Sequence, residues 1–143
     1  MEIRALTDED AAAIVSWRYP GRYATYDFGD RSELTSDHWA VTEAGELIGY
    51  CCFGAPARVP GADEEPGTLD VGYGLEPGRM GQGLGSRFVG RILEFAAEQY
   101  SSDRLRLYIL DWNERSRTVA TSQGFAVESE LDSDEGRFLV MVR

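Results

Sequence analysis

Apolar and polar positions change period several times along the chain, and each change predicts an element. Residues Ile3 to Leu6 are short and half apolar, which reads as a first strand. Thr7 followed by Asp8-Glu9-Asp10 reads as a helix start: a hydroxyl cap, then carboxylates at the positive end of the helix dipole. Ala11, Ile14, Val15 and Arg18 continue at helical spacing, with Trp17 near the end, and Pro20-Gly21 stops the helix. Residues 22–37 place Tyr23, Tyr26 and Phe28 among Gly and Asp, a pattern that predicts a short irregular helix. From His38 the period becomes two. WAVTE, then Ala44-Gly45, then ELIGYCCFG reads as a hairpin.

The stretch Ala55 to Gly67 is rich in Pro, Gly and acidic residues and predicts a surface loop. TLDVGYGLE follows as a fourth strand. Its internal glycines suggest a bulge near Tyr73-Gly74 or a close approach to the backbone. Gly81 to Tyr100 is the longest helical pattern, with Leu84, Phe88, Ile92 and Phe95 on a core-facing stripe. RLRLYIL alternates as a fifth strand. Asn113 caps a short helix to about Ser122, Gly124-Phe125 opens a sixth strand, and RFLVMV is the last. The order predicts one α/β (α+β) domain over residues 1–143. Its sheet is mixed, mostly antiparallel, six- to seven-stranded, flanked by helices and bulged in its central strand.

Composition narrows the partners. A chain of 143 residues fits one domain by the usual ~100–200 residues per domain. The net charge of −11 makes nucleic acid and anionic membrane poor partners, since both need positive surface, and favours cationic ones. All the basic residues are Arg; Lys is absent. Cys51 and Cys52 are neighbours that point to opposite faces of a strand, so they read as free thiols of a reducing compartment. With no apolar run of membrane length and an acidic start, the expectation is a soluble cytoplasmic protein.

The chemistry concentrates in Pro77 to Ser86, PGRMGQGLGS, between a strand and the long helix. Gly81, Gly83 and Gly85 let backbone N–H groups converge, and the helix N-terminus adds its own free amides. That is a phosphate site built from backbone. A P-loop is excluded because it needs Lys, and a dinucleotide fingerprint fails because its last position falls on Ser86 or Phe88. The remaining pattern is the pyrophosphate loop of coenzyme A, [QR]-x-x-G-x-[GA].

At this point the chain resembles the GNAT N-acetyltransferase superfamily. The strand ending Leu75-Glu76-Pro77, the G-x-G-x-G run and the long helix match it in order. NERSRTVATSQGF then resembles the family's N-x-x-A-x-x-x-Y-x-x-x-G-F, beginning at Asn113. The resemblance implies acetyl-CoA as co-substrate, no metal, and transfer of the acetyl group to a primary amine of a small molecule or peptide by direct attack. It implies that Arg79, Met80, Gly81, Gln82, Gly83, Leu84, Gly85 and Ser86 surround the pyrophosphate. Leu75 would align the thioester, and Asn113 would contact the pantetheine arm or fix the loop around it.

The chain departs from the pattern at three places. Met80 replaces the [QR] side chain, which leaves Arg79 as the nearby charge. Ser116 replaces the small Ala. Ala120 stands where the family places the Tyr that protonates the leaving thiolate. Ser116, one turn earlier on that helix face, is a stand-in acid, and Asp70, on one strand face with Gly72 and Gly74, is a candidate base. Trp17, Tyr19, Tyr23 and Tyr26 either wall the acceptor site through cation–π contact or pack the first helix. His38, the single histidine, reads as structural. A non-catalytic acyl-CoA-binding module with a degenerate site stands as the alternative, with another phosphate-ligand domain behind it.

Overall fold

The computed structural model describes residues 1–143. Its chain runs β1 (Glu2–Ala5), α1 (Asp8–Ser16), β2 (His38–Glu43), β3 (Glu46–Phe53), β4 (Thr68–Leu75), α2 (Gly85–Gln99), β5 (Arg104–Leu110), α3 (Glu114–Ser122), β6 (Ala126–Ser133) and β7 (Gly136–Val142). The strands form one seven-stranded sheet in the order β1-β2-β3-β4-β5-β7-β6. Every neighbouring pair is antiparallel except β4–β5. No helix is long and apolar enough to cross a membrane.

The sheet is covered on both faces. Phe88, Val89, Ile92, Leu93, Phe95 and Ala96 of α2 are buried against Cys51, Phe53, Val71, Leu107, Ile109 and Met141. Burying each large side chain contributes roughly 1.5–3 kcal/mol. On the other side, Ala11, Ile14 and Trp17 of the first helical region pack with Leu34 and against Tyr50 and Phe28. Thr7 closes a reciprocal capping box with Asp10: the Asp10 amide donates to Thr7 Oγ1 at 3.1 Å, and the Thr7 amide donates to Asp10 Oδ2 at 2.8 Å. Arg4 also grips the Asp10 carboxylate.

Three local expectations need correction. Residues 22–37 form two 3₁₀ turns, Gly21–Tyr26 and Arg31–Glu33, rather than one irregular helix. Side chains compete for the backbone there: Asp27 accepts the Tyr19 amide and Asp30 accepts the Ser32 amide. The long helix begins at Gly85, not Gly81, because Gly81 and Gly83 adopt φ +74° and +78°, outside the helical region. β4 has no bulge; its register with β3 runs unbroken from Val71 to Leu75. The glycines serve close approach instead. A Cβ on Gly74 would stand 2.6 Å from the Tyr50 ring, and one on Gly72 would stand 2.8 Å from Cys52 Sγ.

The feature that positions the site is a split in the sheet. β4 and β5 pair only over Thr68–Asp70 with Arg104–Arg106. Beyond that point β4 bonds only to β3 and β5 only to β7, so two unpaired edges diverge.

Candidate active site

A cavity of about 720 Å³ fills the split and opens toward the N-terminus of α2. At that end the turn Pro77–Arg79 leads into the glycine loop. The Met80 amide donates to the Pro77 carbonyl, so it is not available to a ligand. From Gly81 through Leu84 no backbone N–H finds a partner in the chain. The first-turn amides of α2 extend the run, as the geometry of any helix start requires. Gly83 faces open space, whereas a Cβ on Gly85 would strike Val119 Cγ2 at 2.8 Å. Gly83 therefore leaves room at the loop, and Gly85 lets α2 and α3 approach closely.

The charge at this loop comes from a residue outside the predicted set. Arg79, the nearby charge expected from the sequence, is instead engaged by Glu46 and Glu76, each at 3.2 Å, and does not line the cavity. Arg115, at the start of α3, brings its guanidinium to 3.4 Å from where a Gly81 side chain would begin. It lies over the Tyr23 ring, forms no ion pair, and is the one arginine lining the cavity. Its position two residues after Asn113 was the available sequence signal.

The predicted residues divide between the cavity and its supports. Leu75, Met80, Gly81, Gly83, Gly85 and Ser86 line the cavity, as do Asn113, Ser116, Tyr19, Tyr23 and Tyr26. Gln82 and Leu84 do not; Gln82 donates its side-chain amide to the Gly78 carbonyl and braces the loop. Trp17 is buried in the α1 cluster, so the packing reading holds for it and the acceptor-wall reading is corrected. Asn113 caps α3 by accepting the Ser116 amide at 3.1 Å and donates to the Tyr26 hydroxyl at 2.9 Å. Tyr19 donates its hydroxyl to the Leu75 carbonyl at the end of β4. The 3₁₀ segment Gly21–Tyr26 thus lies between two tethers, one on each lip of the split.

Asp70 corrects the candidate base. It is fully buried, and its carboxylate accepts from Arg106 Nε at 2.6 Å, Arg106 Nη2 at 3.0 Å and Arg58 Nη1 at 3.1 Å. Two guanidiniums occupy the oxygens a base would need free, and Asp70 does not line the cavity. Its role is to lock β4 to β5 at the root of the split. The carboxylates that do line the cavity are Glu33 and Glu135.

Two phenols flank the gap. Tyr73 of β4 packs edge-on against Phe88 and faces α3. Its hydroxyl is buried, forms no closed hydrogen bond, and senses the Ser116 hydroxyl; burial pushes it up to about 12. Tyr108 of β5 lies on the opposite side beside Asp70, also with an unpartnered buried hydroxyl, pushed up to about 12 chiefly by burial. Ala120, one turn beyond Ser116, has no exposure and belongs to the main core. The far wall is aromatic: Phe28, His38 and Tyr50 pack on one another at 5.3–6.1 Å between centroids. Sequence reasoning missed Tyr73, Tyr108, Tyr50 and His38 because only the fold brings them to one cavity. No cluster of three or more His, Cys, Asp or Glu side chains is placed to hold a metal ion.

The chain and its fold are similar to known proteins. A bovine thialysine N-epsilon-acetyltransferase is 28% identical, and the alignment covers 66% of each chain, so this chain spans just under two thirds of that relative's length. Among solved structures, the aminoglycoside acetyltransferase AAC(6')-Ib in complex with ribostamycin and coenzyme A superposes with a TM-score of 0.78 at 20% identity. That likeness covers 99% of this chain and 91% of that one. A spermidine N-acetyltransferase chimera from Vibrio cholerae gives 0.76 at 15%, covering 99% and 93%. A putative acetyltransferase from Salmonella typhimurium, solved with acetyl-CoA, gives 0.70 at 20%, covering 100% and 92%. The model of the acetyltransferase (GNAT) domain matches residues 1–126, and the chain belongs to the GNAT acetyltransferase family.

Proposed function

We propose that this protein transfers an acetyl group from acetyl-CoA to a primary amine, the amine attacking the thioester directly while both reactants are bound. The observation that carries the reading is the run of unbonded amides at Gly81–Leu84, whose Gly81 and Gly83 line the cavity in the β4/β5 split. A diphosphate needs convergent N–H donors and positive potential, and the loop, the α2 terminus and Arg115 supply both. The free edge of β4 beyond Asp70 offers backbone donors and acceptors to an extended, amide-bearing arm. The residues fit the co-substrate, and the relatives solved with coenzyme A or acetyl-CoA support it.

Acetyl-CoA supplies the activated acyl group as a thioester. The protein's residues manage two protons. As the C–N bond forms and the C–S bond breaks, the amine must lose a proton and the sulfur must gain one. Tyr73 holds a proton at Oη inside the cavity, with Ser116 as its hydroxyl neighbour on α3. From β4 it reaches toward the helix face that carries Ala120. Glu33 and Glu135 are the carboxylates placed to receive the amine's proton, and solvent then reprotonates the phenol. The chain's net charge of −11 draws the incoming ammonium.

The missing tyrosine at Ala120 favours a second reading, a domain that binds acyl-CoA without turnover. Calorimetry with CoA, beside release of free thiol from acetyl-CoA across an amine panel, separates the two. Binding with turnover is expected. Tyr73→Phe is expected to lower kcat by about 10²-fold, within the general-acid range, with CoA affinity unchanged. It should also raise the pKa of the bound CoA thiol, read as thiolate absorbance. Binding without turnover on any amine would establish the second reading.

A further inference from the structure

The acceptor half of the cavity has a composition of its own. Its wall includes Phe28, His38, Tyr50 and Val59, and the whole cavity carries only two carboxylates, Glu33 and Glu135. The cationic side chain of the cavity, Arg115, sits at the glycine loop, so the acceptor half offers nothing to neutralise a carboxylate. Nor does it offer the several carboxylates that a polyamine or aminoglycoside would need for each of its ammonium groups. One cavity of about 720 Å³ must hold both the thioester end and the acceptor, which keeps the acceptor small.

His38 adds a polar requirement. The Thr35 amide donates to its Nδ1 at 3.0 Å, and burial lowers its pKa, so the ring is neutral with its proton on Nε2. That tautomer cannot accept a proton at Nε2 and therefore does not serve as the base. Neither Nε2–H nor the Tyr50 hydroxyl beside it forms a hydrogen bond within the chain, and both residues line the cavity, which leaves both as donors for a ligand. A donor in an apolar wall discriminates strongly against a ligand lacking the matching acceptor.

Resting on the acetyl-transfer reading, we infer that the acceptor is a small primary amine on an apolar stem with one uncharged, hydrogen-bond-accepting oxygen, not a polycation. The test compares phenylalaninamide, phenethylamine, L-phenylalanine, spermidine and kanamycin as acceptors, by kcat/KM from thiol release and by calorimetric binding. Phenylalaninamide is expected to rank first in both. Phenethylamine, without the oxygen, should fall about tenfold below it, and the remaining three lower still. His38→Phe should shrink the gap between amide and phenethylamine to about twofold, and His38→Gln, which keeps a donor, should restore it. If neither variant folds, the ranking for the parent protein decides alone. A first rank for spermidine or kanamycin overturns this acceptor class and leaves acetyl transfer standing. Equal turnover of phenylalaninamide and phenethylamine by the parent overturns the donor role. A protein that binds CoA but releases no thiol with any amine overturns the acetyl-transfer reading itself.

Discussion

Replacing Asp70 by Asn separates a structural ion cluster from a catalytic base. Asp70 is fully buried; the Arg106 and Arg58 side chains that hold it keep only 11% and 20% of their surface exposed. In the variant an amide nitrogen, itself a donor, faces two guanidiniums that can only donate. Removing one partner of a buried pair costs about 3–5 kcal/mol, because the remaining charge has no compensation. For a domain of this size that corresponds to a fall in Tm of roughly 10–20 °C. Differential scanning calorimetry reads the shift. Turnover measured at 15 °C, normalised to folded protein, reads the chemistry. The cluster lies at the root of the split, behind the reacting groups, so turnover per folded molecule should stay within about threefold, far below the ~10²–10⁴-fold loss of a general base. A variant whose Tm is unchanged and whose kcat drops a hundredfold would refute the structural assignment and return Asp70 to the role of base.

Four further perturbations test other parts of the site. Gly83→Ala meets open space but a φ of +78°, so it should keep the fold, at a cost of ~1–2 kcal/mol, and weaken CoA binding; Gly85→Ala should instead lower Tm through its clash with Val119. Arg115→Met should weaken CoA binding by roughly tenfold and flatten its salt dependence, both read by calorimetry at two ionic strengths. Ala120→Tyr should overpack the core by about 1–3 kcal/mol and lower Tm without raising kcat, since Ala120 is fully buried within the main core cluster. The Arg4 guanidinium holds the Asp10 carboxyl below its usual range, so its contribution is present above the unfolded pKa of about 3.9 and is lost as pH falls through the folded value. The Tm gap between the parent and Asp10→Asn should therefore be widest near pH 7 and close below pH 4.

Local pattern was enough for the order of the strands and α-helices, though not for the 3₁₀ turns of residues 22–37 or the start of α2, because most elements are written in nearest neighbours. The Thr7–Asp10 cap, the hairpin at Ala44-Gly45 and the α2 stripe all depend on residues within a few positions of one another. The glycine loop was legible for the same reason. What the sequence could not carry were pairings between distant strands. Asp70 meets Arg106 only because β4 and β5 run parallel for three residues, and Arg58 arrives from a loop with no period at all. Alternation placed Asp70 with Gly72 and Gly74 but was silent on the guanidiniums above it. Of the two partners of Arg79, Glu46 lies far off in sequence, whereas Glu76 is only three residues away and was readable locally. Tyr73 and His38 gave no local sign of opening onto one cavity, since their neighbours there come from α3 and from the residues before β2.

The two phenol tethers turn the segment Gly21–Tyr26 into a crossbar between the lips of the split. A crossbar fixes the separation of its posts. Spreading the strands must stretch or release the Tyr19–Leu75 bond or the Tyr26–Asn113 bond, each with a net worth of about 0.5–1.5 kcal/mol. Tyr23 and Tyr26 ride on that same bar, packed edge-on and tilted against Trp112 at the head of α3. The gap width and the aromatic wall are therefore mechanically one variable. Whichever reactant first sets the width changes what the second must do, and thermodynamic reciprocity makes the influence equal in both directions. Coupling between two binding events then follows from two hydrogen bonds, without any domain movement.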